Sequence, residues 1–239
     1  MKYEIMSDLA ILGMRVDNAL EIVNLLLDDD ERGKAFVNYR LKFHMQKAKS
    51  SYLRSEKLFS ESKNDLEKYA NYAVMLNACN RYEYLKELYH ESCSEKEKVW
   101  AERFFPNSFL DDFEQYEEKR VFQLVRLGMK QKNAIDLIAL VDNDNIDEST
   151  KVTSFKKIVT ANIIATRKHR EQATEILNDN EFEFYHRLGL HSESLKRVVY
   201  LIDLATEYGL NLGLANKTYE NLKDDKQWSD SHYHRLNSL

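Results

Sequence analysis

The sequence predicts an all-α protein made of antiparallel helix pairs, and three observations favour this fold class. The 239 residues include one proline and six glycines, so residues that break helices are scarce. Helix-forming residues such as Leu, Glu, Lys and Ala dominate the composition, in which 31% of the residues are charged. The third observation is an internal repeat, which predicts two related halves packed into one continuous array.

The repeat relates residues 11–30, ILGMRVDNALEIVNLLLDDD, to residues 126–145, RLGMKQKNAIDLIALVDNDN, at an offset of 115 positions. Several of the changed positions keep their chemical character, as Ile22 and Leu137 do. Chance rarely produces such agreement, so we interpret the segment as a duplicated structural unit. The aligned pairs that are identical are Leu12/Leu127, Gly13/Gly128, Met14/Met129, Asn18/Asn133, Ala19/Ala134, Leu25/Leu140 and Asp29/Asp144.

Each copy predicts a helix, a turn and a second helix. In the first copy Gly13 supplies the backbone freedom that a helix C-terminus needs. Asp17 or Asn18 is expected to cap the next helix, because Glu21 follows Asn18 by three residues as in a capping box. The apolar face of that helix then follows at helical spacing as Ala19, Ile22, Val23 and Leu26.

The second copy follows the same pattern. Gly128 occupies the turn, and Asn133 is the expected cap, with Asp136 three residues after it. The apolar face of the helix that follows consists of Ala134, Leu137, Ile138 and Val141.

Weaker echoes of the repeat extend the pattern along the chain. They lie at 78–90, 166–177 and 187–202, with Asn80 and Gly189 at the expected turns. About six or seven antiparallel helix pairs are therefore expected, with starts near residues 3, 34, 66, 97, 118, 150 and 181, at steps of roughly 31–35 residues in most cases. The predicted division is a first half at 1–110, a second half at 111–220 and a polar tail at 221–239. We expect the tail to fray, with Trp228 as a side chain that would dock it.

The turn regions resemble those of the tetratricopeptide family. The resemblance rests on Gly13 with Ala19, on Gly128 with Ala134, and on Asn80 within NRYEYLKELY. The units of that family are two helices in about 34 residues, with a small residue at the turn. The family's proline at the end of each unit is absent here, since Pro106 is the chain's one proline. The resemblance implies a tetratricopeptide-like α-solenoid that binds proteins or peptides as an adaptor, chaperone or regulatory subunit.

Charge and cysteine content limit the other classes of function. A net charge of −5 argues against non-specific nucleic-acid binding, which needs a basic face. Cys79 and Cys93 are too few for a disulfide framework and are not spaced as a zinc site. The N-terminus has no apolar run typical of a signal peptide, so we expect a cytoplasmic protein with no membrane partner. We also expect no cofactor. A homodimer is compatible with the sequence.

Candidate partner-binding residues are aromatic and basic. About half of the aromatic side chains should lie in the core, and the rest would anchor a partner on a concave face. Arg167 and Arg170, with Lys156 and Lys157 nearby, would contact an acidic peptide or nucleic acid. A regulator that binds nucleic acid through 156–170 is thus one alternative function. The aromatic candidates are Tyr82, Tyr84, Tyr89, Phe184 and Tyr185.

A second alternative is a helical-bundle enzyme with a carboxylate-bridged pair of metal ions. Two Glu-x-x-His pairs, Glu87 with His90 and Glu183 with His186, each place both side chains on one helix face. The two pairs lie 96 positions apart, which is out of register with the 115-residue repeat. We therefore prefer a binding protein to an enzyme. The additional carboxylates that such a site needs would be Glu56 or Glu61, and Glu171 or Glu175.

Overall fold

The structure is a computed structural model that describes residues 2–27, 31–92, 116 and 118–236. All regular elements within these ranges are α-helices, which confirms the predicted all-α class. The predicted pair starts near 3, 34, 66, 118, 150 and 181 each lie within three residues of the start of a helix. The expectation of a pair at each start is wrong near 34, 66, 150 and 181, where one long helix replaces the pair, and the start near 97 lies outside the described residues. The helices are α1 (Lys2–Ile11), α2 (Val16–Leu26), α3 (Glu31–Ser60), α4 (Asp65–Ser92), α5 (Arg120–Arg126), α6 (Gln131–Val141), α7 (Glu148–Ile176), α8 (Glu181–Glu207) and α9 (Asn216–Leu236).

The internal repeat governs the helix boundaries. Helices α2 and α6 begin and end 115 positions apart, and so do the last residues of α1 and α5. Gly13 and Gly128 both occupy the left-handed region, with φ of 76° and 81°, as predicted for residues that follow a helix. After α1 the amide of Gly13 donates to the carbonyl of Ala10, and that of Met14 donates to Leu9. This pair of bonds is a Schellman motif, which ends α1 and redirects the chain into α2.

The chain divides into two compact units, which we call the central unit (Asp17–Arg126) and the terminal unit (Met1–Val16 with Leu127–Leu239). In the central unit the long helices α3 and α4 pack against each other, and α5 packs on α4. In the terminal unit α7 and α8 pack together, and α1 packs on α8. The repeat equates α1 with α5, so each unit contains the same kinds of helix, although α1 comes from the opposite end of the sequence. The predicted halves, 1–110 and 111–220, rest on the sequence repeat and differ from these two packing units. They stay a prediction.

Two predicted turns are wrong. Asn80 and Gly189 lie inside the long helices α4 and α8. At Gly189 the reason is close packing, because a Cβ atom there would lie 2.6 Å from the carbonyl oxygen of Ser7 in α1. At Asn80 the side-chain oxygen accepts hydrogen bonds from Nη2 and Nη1 of Arg126 in α5, at 3.2 and 3.3 Å.

The predicted caps are also wrong. Asn18 and Asn133 are the third residues of α2 and α6, so they lie inside the helices rather than before them. The N-cap of α6 is Lys130, which makes no capping hydrogen bond with its side chain. Asn18 instead accepts a hydrogen bond from Arg40 of α3, at 3.4 Å. The alanines that follow each asparagine, Ala19 and Ala134, are fully buried, as the repeat pattern predicts.

The expectation that the tail frays is wrong up to Leu236, because these residues form α9. Leu222, Asp225 and Ser229 are buried on one face of this helix. Trp228 docks as expected, with its ring centroid 5.0 Å from that of His191 and 6.2 Å from that of Phe184. Within the described ranges, no helix has the length and apolar character needed to cross a membrane.

Candidate functional site

A groove of about 540 Å³ lies between α7 and α9 in the terminal unit. The side chains that α7 contributes to the groove recur every three or four residues, so they share one helix face. The groove contains two cations and four carboxylates, which suits a ligand with charges of both signs. The lining residues are Arg167, Arg170, Glu171, Thr174 and Glu175 of α7, with Asn221, Asp224 and Asp225 of α9.

Asp225 is the most buried charge of the groove, with 3% of its surface exposed. Its Oδ1 accepts a hydrogen bond from Nη1 of Arg170 at 2.6 Å and lies 3.8 Å from Nε2 of His191. Burial alone would raise the pKa of Asp225, but His191 and Arg170 outweigh it and hold the pKa below its ordinary value. The carboxylate is therefore ionised at neutral pH.

Trp228 completes this cluster. The guanidinium of Arg170 lies 5.3 Å from the centroid of the Trp228 ring, a cation–π arrangement. His191 meets the same ring edge-on. The cluster joins α7, α8 and α9, so Arg170 has a structural role in its own unit. Arg167, the other predicted cation, is exposed and lines the groove.

Most of the predicted aromatic anchors lie in the core. Tyr82 and Tyr89 of α4 are buried in the central unit, and Phe184 and Tyr185 of α8 are buried in the terminal unit. Tyr84 is half-buried. Burial stabilises these rings within their own units, so the structure offers no support for a partner contact at the four buried positions.

Two neighbouring aromatic side chains are instead exposed on α3, where the sequence motifs did not indicate them. Phe36 and Tyr39 are 50% and 62% exposed, and Leu53 is 49% exposed. Helical spacing places them on one face with four cations, and we call this face the α3 stripe. The α3 stripe consists of Arg32, Phe36, Tyr39, Phe43, Lys47, Leu53, Arg54 and Lys57.

The charge of α3 contrasts with that of the whole chain. Its 30 residues contain eight lysines and arginines and two glutamates, a balance of +6 in a chain of net charge −5. This asymmetry is visible in the sequence and was the available signal for the site. On the α3 stripe, Nζ of Lys47 lies 4.3 Å from the centroid of the Phe43 ring, and the Phe36 and Tyr39 centroids are 6.3 Å apart.

The residues of the di-metal alternative have other contacts. Nε2 of His186 lies 2.9 Å from the carbonyl oxygen of Met14, and Glu183 accepts from Arg187 at 3.1 Å. Glu87 and His90 lie on α4, in the other unit. In the part of the chain that the structure describes, no group of three or more His, Cys, Asp or Glu side chains has an arrangement that would hold a metal ion. The di-metal hypothesis stays a prediction without support from this geometry.

The additional carboxylates and the described cysteine do not support the di-metal alternative either. Glu171 and Glu175 line the groove between α7 and α9, while Glu56 is exposed on α3 and Glu61 follows that helix. Cys79 is a buried free thiol, and burial raises its pKa. Cys93 lies outside the described residues.

Comparison of the chain with protein-family models, with curated proteins and with solved structures finds no match.

Proposed function

We propose that this chain is a protein-binding helical scaffold, an adaptor, chaperone or regulatory subunit, that contacts an acidic partner protein through the α3 stripe. The observation that carries the proposal is the exposure of Phe36 and Tyr39 on a helix with a charge balance of +6. Aromatic side chains and arginine are enriched at the centres of protein interfaces. The cations would orient an acidic partner and accelerate its association.

The opposite face of α3 gives the stripe a rigid base. Leu41 and Met45 are fully buried, and Val37 and Ala48 are nearly so. Because these side chains fix the helix against the rest of the central unit, the exposed rings lose little conformational freedom when a partner binds. A preorganised helix face of this kind suits a binding scaffold.

A tetratricopeptide-like solenoid is the finer part of the proposal. Support comes from the two helix–turn–helix units that have glycine at the turn and a buried alanine early in the second helix, at Ala19 and Ala134. Repeat proteins of this kind commonly use one face of the array for binding. The long helices α3 and α4, of 30 and 28 residues, exceed the helix length of the family's units.

Site-specific photocrosslinking in the protein's own host tests the proposal. A photoreactive phenylalanine analogue would replace Tyr39 in one strain and Tyr219 of α9, which is 43% exposed, in a matched control strain. We expect one acidic protein to be crosslinked at position 39 and not at position 219. The charge reversal Arg54→Glu should weaken that crosslink. The same products at both positions, or none at position 39, would contradict the proposal.

The nucleic-acid alternative makes a different prediction, because it places the contact at 156–170: crosslinks to RNA or DNA would form from a photoreactive residue in that run and not from position 39. The run at 156–170 has fewer available cations than its sequence indicates. Arg170 is bound to Asp225, and Nζ of Lys156 lies 3.4 Å from the carbonyl oxygen of Gly213. Oligonucleotide binding that weakens steeply with salt would favour this alternative.

A further inference from the structure

A second cationic cluster lies inside the central unit. His44 of α3 is 6% exposed, and Arg40 and Lys47 lie on the same helix, one turn before and one turn after it. Arg81 of α4 acts on His44 electrostatically from the facing helix. Among the described residues, Glu21 of α2 is the acidic group that acts on His44, and it forms an ion pair with Arg40.

Three nitrogen atoms of this cluster are buried and have no hydrogen-bond partner among the described residues. They are Nε of Arg40, Nε2 of His44 and Nε of Arg81. Buried nitrogen atoms of this kind are normally paired, because an unpaired polar group loses its water without compensation. Nε of Arg40 and Nε of Arg81 are both hydrogen-bond donors, so the partner that each of them lacks is an acceptor.

The terminal unit provides a comparison for Arg81. Arg197 is the seventeenth residue of α8, as Arg81 is of α4, and both guanidiniums are partly buried. Nε of Arg197 donates to Oδ1 of Asn162 at 2.7 Å, and its Nη1 donates to the carbonyl oxygen of Leu127 at 2.7 Å. Arg81 keeps the position, but the group it is shown to act on is the buried ring of His44. The central unit therefore differs by lacking a protein acceptor for this arginine within the described residues.

The charge of the cluster indicates the class of ligand. Arg40, Lys47 and Arg81 contribute three positive charges, and Glu21 removes one. The remainder matches a phosphate monoester, whose charge at pH 7 is about −1.5 to −2. Burial, and then Arg40 and Lys47, lower the pKa of His44 to about 4, while Glu21 opposes them. The ring is thus neutral at pH 7, and one of its nitrogens can donate to an anion.

Two side chains of the cluster are in contact with solvent. The Arg40 side chain is 20% exposed, and Lys47 is exposed. An anion can therefore reach the guanidinium of Arg40 without unfolding the unit. Buried guanidinium groups are well suited to it, because their planar donors match the geometry of phosphate oxygens.

We propose that Arg40, His44 and Arg81 form a binding site for a phosphate-type dianion, either inorganic phosphate or a phosphomonoester. Arg81 and Arg40 donate to the phosphate oxygens, and Lys47 supplies charge at the entrance. This inference does not depend on the partner protein proposed above, since a small anion binds the central unit alone.

Nuclear magnetic resonance of the full chain with labelled histidines tests the site. Inorganic phosphate would be added at pH 7 and constant ionic strength, with chloride as the reference anion. We expect a saturable shift of the His44 ring signals and a rise in the pKa of His44, because a bound anion stabilises the imidazolium. The ring signals of His232, on α9, should not move. A His44 signal that phosphate leaves unchanged would overturn the proposal.

Two variants extend the test. Arg81→Gln should weaken phosphate binding about tenfold or more, whereas Arg54→Gln, an exposed change on the same α3 helix, should not. Equal weakening by both variants would show non-specific attraction and overturn the site. Thermal unfolding of each variant checks that it folds, and the wild-type titration stands on its own. Tighter binding of O-phosphoserine than of inorganic phosphate would assign the ester, and equal binding would assign the free anion.

Discussion

Asp225 of α9 and Arg170 of α7 form an ion pair in which Oδ1 lies 2.6 Å from Nη1, with the carboxylate buried and the guanidinium partly exposed. Helix α9 is polar over most of its length, so such specific contacts, more than a broad apolar face, hold it to the terminal unit. A second contact of this type joins Tyr233 to Ser7 of α1, with 2.6 Å between their hydroxyl oxygens. The position of α9 therefore depends on a few polar side chains.

Replacing Asp225 with Asn should loosen α9. The substitution removes the charge that Arg170 and His191 face, and we expect a loss of about 1–3 kcal/mol in the free energy of unfolding. Denaturant unfolding would measure it. Asp224→Asn is the matched control, because Asp224 is the exposed neighbour in the same groove and should change stability by less than about 0.5 kcal/mol. Equal losses in the two variants would contradict the role of the buried pair.

Acid should release α9 from the terminal unit. The pKa of Asp225 in the folded protein lies below the unfolded value of 3.8, so the ionised carboxylate stabilises the fold above that value. This contribution is lost as the pH falls through 3.8 towards the lower folded pKa. Trp228 fluorescence in a Trp100→Phe background would follow the release. Because other groups also titrate, the test is the difference from Asp225→Asn, which should lack this acid-dependent step.

The sequence predicts the helices well because their periodicity and the turn glycines are local signals. Gly13 and Gly128 ended helices as expected, and the 115-residue offset recurred in the boundaries of α2 and α6. The docking of α9 was not predictable in the same way. Its anchor, Asp225, contacts Arg170, which lies 55 positions earlier in the sequence. The polar composition of this segment, taken alone, predicts a solvated tail.

The candidate site shows the same limit. Helical periodicity groups residues by face, but it does not say which face another helix covers. Tyr82 and Phe184 are buried because their faces of α4 and α8 pack inside their units, whereas Tyr39 lies on an uncovered face of α3. The charge imbalance of α3 was available from the sequence and would have indicated this surface.

The close approach of α1 to α8 depends on Gly189. In Gly189→Ala the new Cβ would lie 2.6 Å from the Ser7 carbonyl oxygen and 3.1 Å from the Ala10 Cβ, so α1 must move. We expect a net loss of about 1–3 kcal/mol, although alanine favours the helix itself. Hydrogen exchange should accelerate at the amides of α1.

Gly209→Ala provides the contrast to that substitution. Gly209 has φ of 68° and no atom within 4 Å of the added Cβ, so the cost is backbone strain of about 1–2 kcal/mol at the end of α8. Exchange at α1 should then stay as in the wild type. Faster exchange of α1 in both variants would mean that general loss of stability, not a steric contact, explains the Gly189 result.

Loss of the ring should change the free energy of unfolding very little at Tyr39 and strongly at Tyr82. Tyr39→Ser removes a ring that is 62% exposed, so the free energy of unfolding should change by no more than about 0.5 kcal/mol. Tyr82→Ser leaves a cavity where a fully packed ring had been and should cost about 3–5 kcal/mol. The photocrosslink made from a second stripe position, Phe36, should be lost in Tyr39→Ser despite its normal stability. A stable Tyr39→Ser protein that keeps the crosslink would show that the α3 stripe does not anchor the partner through this ring.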